Sequence, residues 1–174
     1  KKKQEGDYFD TTFGYSLDYD VRDSRYKTSD GFRSRFVQDI PITSDDYALI
    51  TGYEYSHYYE FENKTRTSFT FWSRATSSLT GDDVRISKRV YIPSRRLRGF
   101  ESGKVGPMDN NDFIGGNYAT AMTVSSSIPQ LLSTFESTDI SIFFDAANVW
   151  GVDYDSSLDK NDIRTSIGVG LDWF

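Results

Sequence analysis

Few side chains in this sequence could carry out covalent chemistry. The chain has one histidine, His57, and no cysteine, so thiol nucleophiles, cysteine metal sites and disulfides are excluded. By strand alternation His57 shares a face with Tyr55 and Tyr59, which favours an aromatic ring at a membrane interface over a catalytic base. No loop offers a convergent acid–base set. We therefore expect this protein not to be an enzyme.

Carboxylates are concentrated in the predicted loops. Oxygen ligands of this kind can bind Ca²⁺ weakly, but their spacing matches no calcium-binding loop. We expect solvated acidic loops, with no metal site and no cofactor. The carboxylates concerned are Asp82, Asp83, Asp109, Asp112, Asp153, Asp155, Asp159 and Asp162.

One long segment combines glycines with basic side chains. Residues 93–116 lack a strand pattern, and loops of this length in a compact domain are usually functional or disordered. Gly99 permits a positive φ or a close backbone approach. The basic residues of the segment are Arg95, Arg96, Arg98 and Lys104.

The elements that would position this loop are strands with one apolar face. Residues 9–21 and 163–173 alternate strictly between apolar residues and small, polar or charged ones. A period of two is the pattern of a β-strand that buries or exposes only one apolar face. The apolar sets are Phe9, Phe13, Tyr15, Leu17, Tyr19 and Val21, and Ile163, Ile167, Val169 and Leu171.

Six further segments alternate less strictly, namely residues 32–40, 47–61, 65–75, 84–92, 117–128 and 139–150. The chain thus has about eight predicted strands, near the length of about 9–11 residues that a tilted membrane strand needs. This pattern predicts an all-β fold, an antiparallel transmembrane β-barrel meander. A soluble β-sandwich is the alternative, but its strands are usually shorter, about 5 to 6 residues.

Composition limits the other classes. The 174 residues show no shift in composition, which predicts a single domain over residues 1–174. No apolar run approaches the roughly 18 residues of a membrane helix, and the mean hydropathy of -0.58 is compatible with strands that are apolar only at every second position. A net charge of -6 without a basic stripe argues against nucleic acid as a partner.

Three motifs occur in the order found in one family. They are Leu97-Arg98-Gly99-Phe100, Gly115-Gly116-Asn117, and Phe143-Phe144-Asp145-Ala146-Ala147-Asn148-Val149-Trp150. The chain resembles the C-terminal part of the barrel in BamA-type outer-membrane assembly factors, also called bacterial surface antigens. Upstream, Asp20-Val21-Arg22-Asp23-Ser24 and Thr28-Ser29-Asp30-Gly31 resemble a hairpin of the family, although Lys27 stands where proline is usual.

The resemblance implies that the loop folds into the barrel lumen and that Arg98 contacts an acidic residue of the inner wall. Alternation provides an independent test, because Asp145 faces the lumen if Ile142 and Phe144 face lipid. Some relatives carry a second carboxylate where Ser125 falls here, so we expect Asp145 to be the single partner. The alternative is that Arg98 is an exposed loop arginine that contacts lipopolysaccharide or solvent.

The resemblance also implies a function, the insertion of β-barrel proteins into the bacterial outer membrane. The implied partners are unfolded outer-membrane clients, lipid or lipopolysaccharide, and periplasmic accessory subunits that bind upstream domains. Two alternatives are a barrel of the same superfamily that secretes a polypeptide or assembles autotransporters, and a small structural or adhesive barrel. Accordingly, the chain is expected to form half of a larger barrel or a small closed barrel of about eight strands.

Overall fold

The computed structural model describes residues 6–128, 138–159 and 162–173. Seven long strands form one antiparallel sheet in the order β1-β2-β3-β4-β7-β8-β9, and a short hairpin, β5-β6, stands apart from it. The predicted all-β antiparallel meander is confirmed. Within the described part of the chain, no helix is long and apolar enough to cross a membrane. The strands are β1 (Asp10–Asp20), β2 (Asp30–Ser44), β3 (Ala48–Glu60), β4 (Arg66–Ser78), β5 (Met108–Asp109), β6 (Asp112–Phe113), β7 (Tyr118–Ile128), β8 (Thr138–Trp150) and β9 (Arg164–Trp173).

The two faces of the large sheet differ as the alternation predicts. Large apolar side chains are exposed on one face, which we call the outer face, and they include Leu17, Ile142 and Ile167. His57 is exposed on this face and stacks on Tyr55 with ring centroids 6.5 Å apart. The opposite face carries small, polar and charged residues. We call residues 79–117 the insertion. They pack on this opposite face of the sheet, and we therefore call it the covered face.

A hydrophobic cluster holds the insertion against the covered face. Four buried residues of the insertion meet four small or β-branched residues of β7 and β8, and Trp72 and Phe100 pack at the edge of the cluster. Leu97 is fully buried there. The members of the cluster are Val90, Ile92, Leu97 and Val105 from the insertion, and Ala119, Ala121, Ala147 and Val149 from the strands.

The prediction of a strand over residues 84–92 was wrong. This segment contains a 3-10 turn, Ile86–Lys88, and only one β-bridge, between Val90 and Gly116. The segment cannot form a strand of the sheet between β4 and β7, because these two strands pair directly with each other. The apolar residues of the segment anchor the insertion instead, so the excursion between strands begins well before residue 93. Seven of the eight predicted strands therefore remain.

Strand β2 continues past the proline at which the sequence pattern ended it. Pro41 lies inside β2, where the pairing with β1 shifts register between Thr11 and Thr12. Proline cannot donate to the ladder and is accommodated in sheets at bulges or edges. The bulge therefore allows β2 to reach Ser44.

Both edges of the sheet are open. Since seven strands alternate in direction, β1 and β9 run the same way. Joining these two edges to each other would create a parallel pair, whereas an antiparallel closure needs an odd number of additional strands. The described residues thus form an open wall, and the small closed barrel is not observed.

The turn between β1 and β2 is organised by one carboxylate. Asp23 accepts hydrogen bonds from the Ser29 hydroxyl (2.5 Å), the Ser29 N–H (3.0 Å) and the Asp30 N–H (3.2 Å). The Ser29 hydroxyl, followed by the backbone donors, lowers the pKa of the Asp23 carboxyl from 3.8 to about 2. Lys27 has a φ of 53°, which proline cannot adopt, so a proline at this position would not fit this turn.

The turn should open in acid. Because the pKa of Asp23 is lower in the folded chain, its stabilising contribution is complete above the unfolded pKa and disappears as the pH falls from about 4 towards 2. We expect the amides of Ser29 and Asp30 to lose hydrogen-exchange protection over that range. The amide of Lys64, which donates to the carbonyl of Phe61 in another turn, is the control. Equal loss at Lys64 would contradict the assignment to Asp23.

Removing the central side chain of the cluster should release the insertion. Leu97→Ala leaves a cavity where a fully buried leucine packs, which costs about 2–5 kcal/mol. The measurement is the rate of protease cleavage within residues 79–117 of the full-length protein as denaturant is added. Leu79→Ala, at a position with 56% exposure, is the matched control and should change the stability by less than about 0.5 kcal/mol.

Candidate functional site

The insertion brings Arg98 to the wall beside the hydrophobic cluster. A 3-10 turn, Ser94–Arg96, precedes Leu97, and the burial of Leu97 directs the next residue toward β8. The Arg98 guanidinium then donates to both oxygens of Asp145, from Nε to Oδ2 at 2.8 Å and from an Nη to Oδ1 at 2.7 Å. The backbone N–H of Arg98 donates to Oδ2 at 3.1 Å. The contact is therefore bidentate and is reinforced by the main chain.

Asp145 is fully buried at the centre of this contact. Thr123, its direct partner across β7 and β8, donates its hydroxyl to Oδ1 at 2.9 Å. The carboxylate thus receives hydrogen bonds from Arg98 and Thr123 alone among the described residues. A buried charge is tolerated only when it is paired and hydrogen-bonded. Ser125 lies away from this carboxylate, with its Oγ 3.5 Å from the carbonyl oxygen of Ile142.

The aromatic ring of Phe143 packs against the Arg98 guanidinium. The Arg98 Cζ lies 3.3 Å from the centroid of the Phe143 ring, a cation–π geometry. The ring has room because Gly168 is its neighbour on β9, where a Cβ would lie 2.5 Å from Cζ of Phe143. Sequence reasoning did not assign these roles to Phe143, Thr123 or Gly168. A large aromatic residue on an otherwise small and polar face was the available signal for Phe143.

The other residues of the loop motif shape the backbone around Arg98. Gly99 has a φ of +84°, and a Cβ there would meet nothing within 4 Å, so the turn and not a steric contact requires glycine. Phe100 packs on the hydrophobic cluster. The motif therefore directs its arginine to the wall and its phenylalanine to the cluster.

Two glycines return the insertion to the sheet. Gly115 has a φ of +65°, and a Cβ there would lie 2.8 Å from the Val90 carbonyl oxygen. A Cβ at Gly116 would collide with the backbone of Trp150. Gly116 exchanges two backbone hydrogen bonds with Val90, at 2.8 and 3.1 Å. These glycines allow close backbone approach at the start of β7.

Further ion pairs attach the insertion to the wall. Arg96 contacts Glu54 of β3 at 2.6 Å and lies over the ring of Trp72. Lys88 contacts Asp10 of β1 at 2.8 Å. Neither pair was predicted from the sequence, although alternation places Glu54 on the polar face of its Tyr-rich strand. Ion pairs thus connect the insertion to β1 and β3 as well as to β8.

The arrangement offers positioning rather than bond-making groups. In the described ranges no three His, Asp or Glu side chains lie close enough to hold a metal ion. The site consists of an ion pair between a buried carboxylate and a partly exposed arginine, and it docks a folded insertion onto the polar face of an antiparallel sheet. A sheet that is apolar on one face and polar on the other is typical of the wall of an outer-membrane β-barrel.

Comparisons with known proteins assign the family. The family model of the Omp85 superfamily domain matches residues 1–174. The chain therefore belongs to the Omp85 superfamily, whose members are outer-membrane proteins. No curated protein matches the chain.

Solved structures support the same fold. The chain is similar to the structure of BamA from Haemophilus ducreyi lacking POTRA domains 1-3, with a TM-score of 0.78, 22% sequence identity, and coverage of 93% of this chain. The aligned region covers 36% of that BamA chain. The family assignment and this fold support the prediction that the residues form the C-terminal part of a BamA-type barrel.

The coupling between Arg98 and Asp145 can be measured in a double-mutant cycle. Arg98→Ala leaves the Asp145 carboxylate buried with fewer donors, which should destabilise the docked insertion by about 3 kcal/mol. Asp145→Ala should cost less, and the double variant less than the sum of the two. The readout is protease cleavage of the insertion in the full-length protein.

The control for this cycle is Lys104→Ala. Lys104 pairs with Glu101 on the exposed surface of the same insertion, and such pairs contribute less than about 1 kcal/mol. Additive effects of the two site substitutions would show that Arg98 and Asp145 do not stabilise each other.

Proposed function

We propose that this chain is part of the barrel of an outer-membrane assembly factor that inserts β-barrel proteins into the outer membrane. The observation that carries the proposal is the contact between Arg98 and Asp145, which docks the long insertion on the covered face of an Omp85-type sheet. In this proposal Arg98, Gly99, Phe100 and Asp145 hold the insertion in place. Gly115 and Gly116 allow the chain to return from the insertion to the sheet at the start of β7.

The activity requires no covalent step. Unpaired strand edges at a weak seam can template an incoming strand, and local thinning of the bilayer lowers the cost of insertion. A seam can open safely only if the rest of the wall keeps its shape. The docked insertion supports this role, because it cross-links the wall through the hydrophobic cluster and several ion pairs.

The partners follow from this function. Unfolded outer-membrane proteins are the clients, and lipid or lipopolysaccharide contacts the outer face, on which apolar side chains are exposed. Periplasmic accessory subunits bind domains outside these residues. The residues themselves act as one domain, 1–174, with no role for nucleic acid.

The test is Arg98→Ala in the full-length protein in its bacterial host. We expect lower levels of folded outer-membrane proteins while the variant itself is still present in the membrane. Lys104→Ala is the matched control, since it removes a cation of the same insertion whose side chain is 56% exposed.

Two results would contradict this proposal. Normal levels of all outer-membrane proteins with a stably folded Arg98→Ala variant would exclude a general assembly role for the docked insertion. Loss of a single secreted polypeptide, with other outer-membrane proteins unchanged, would assign the protein to the secretion branch of the superfamily instead.

A further inference from the structure

Three arginines that have no hydrogen-bond or ion-pair partner among the described residues line one cavity between the insertion and the wall. The cavity has a volume of about 200 Å³ and is lined by Arg35 of β2, Arg74 of β4 and Arg95 of the insertion, beside Glu54 and Trp72. All three arginines are exposed. The cavity lies on the covered face and is distinct from the contact between Arg98 and Asp145.

The neighbouring carboxylates are committed to other arginines. Arg35 has two direct cross-strand partners, Asp18 on β1 and Glu54 on β3. Asp18 is paired with Arg33, and Glu54 with Arg96. Among the residues that the structure describes, Arg35, Arg74 and Arg95 make no hydrogen bond and no ion pair. The cavity therefore has a local excess of positive charge in a chain whose net charge is -6.

A glycine in the middle of a strand, Gly52, lines the cavity. Gly52 of β3 lies directly opposite Arg74. A Cβ at Gly52 would lie 2.7 Å from Cγ2 of Val37 and 3.7 Å from Nε of Arg74. Glycine inside a strand weakens the strand and often marks the close approach of a ligand or another chain.

This arrangement has the chemistry of an oxyanion site. Guanidinium groups present planar pairs of donors that match phosphate and carboxylate oxygens. Three arginines and one carboxylate, Glu54, line the cavity, and a cleft in which one sign of charge predominates concentrates counter-ions of the opposite sign. A phosphate group near neutral pH carries between one and two negative charges, so a single group would offset much of the charge of the cluster.

We propose that Arg35, Arg74 and Arg95 form a binding site for a phosphate group, either free or carried by a lipid headgroup. Arg35 and Arg74 come from the wall and Arg95 from the insertion. A bound phosphate bridges the two, so phosphate binding and docking of the insertion favour each other. This inference does not depend on the proposed assembly function.

The test is binding to the full-length protein in a neutral detergent at low salt. Calorimetric titrations with inorganic phosphate and with dihexanoyl phosphatidic acid distinguish the two sources. Each of Arg35→Gln, Arg74→Gln and Arg95→Gln should weaken binding roughly ten-fold, the effect of losing one charge-assisted contact. These arginines are exposed and make no ion pair with the described residues, so the variants should fold, as verified by heat-modifiable migration.

The matched control is Arg164→Gln, which removes a half-exposed arginine outside the cavity, paired with Asp162. It should leave the affinity within about two-fold. Binding of either ligand that the cluster variants weaken and the control retains would support the site, and binding of the lipid alone would assign the headgroup as the source. Absence of binding by both ligands, or binding that the three variants leave unchanged, would overturn the proposal.

Discussion

The arrangement of the insertion depends on one buried carboxylate. Asp145 lies in the middle of β8 with no exposure to solvent, and a charge in that position must be compensated by donors. Thr123 supplies one hydrogen bond, and Arg98 supplies the others and the opposite charge. Among the described residues Arg98 is the cation that pairs with Asp145, so the charge of the wall is compensated when the insertion is docked.

The wall in turn is shaped to receive the insertion. Small residues of β7 and β8, among them Ala121 and Ala147, leave space for Leu97 and its neighbours. Gly168 leaves space for the Phe143 ring that supports the guanidinium. Polar side chains on this face and apolar ones on the outer face reconcile a mean hydropathy of -0.58 with membership of a family of outer-membrane proteins.

Alternation predicted the features that a single strand determines. It identified all seven long strands, and it placed Asp145 and Phe144 on opposite faces of the sheet. It failed at residues 84–92, because a period of two does not reveal whether a partner strand is available. The roles of Thr123, Phe143 and Gly168, and the pair of Arg96 with Glu54, depend on the register between strands and on the path of the insertion. Such contacts join residues far apart in the chain, and local patterns do not encode them.

The distance along the chain between Arg98 and Asp145 constrains the order of folding. The two residues are separated by 47 positions, and β8 follows the insertion in the chain, so the contact cannot form until both the insertion and β8 are in place. If the covered face lines the interior of a closed barrel, a folded insertion would have to enter that barrel through an end. Docking before closure avoids that passage. The contact is therefore a long-range one, whose loop closure costs more entropy than the pairing of neighbouring strands.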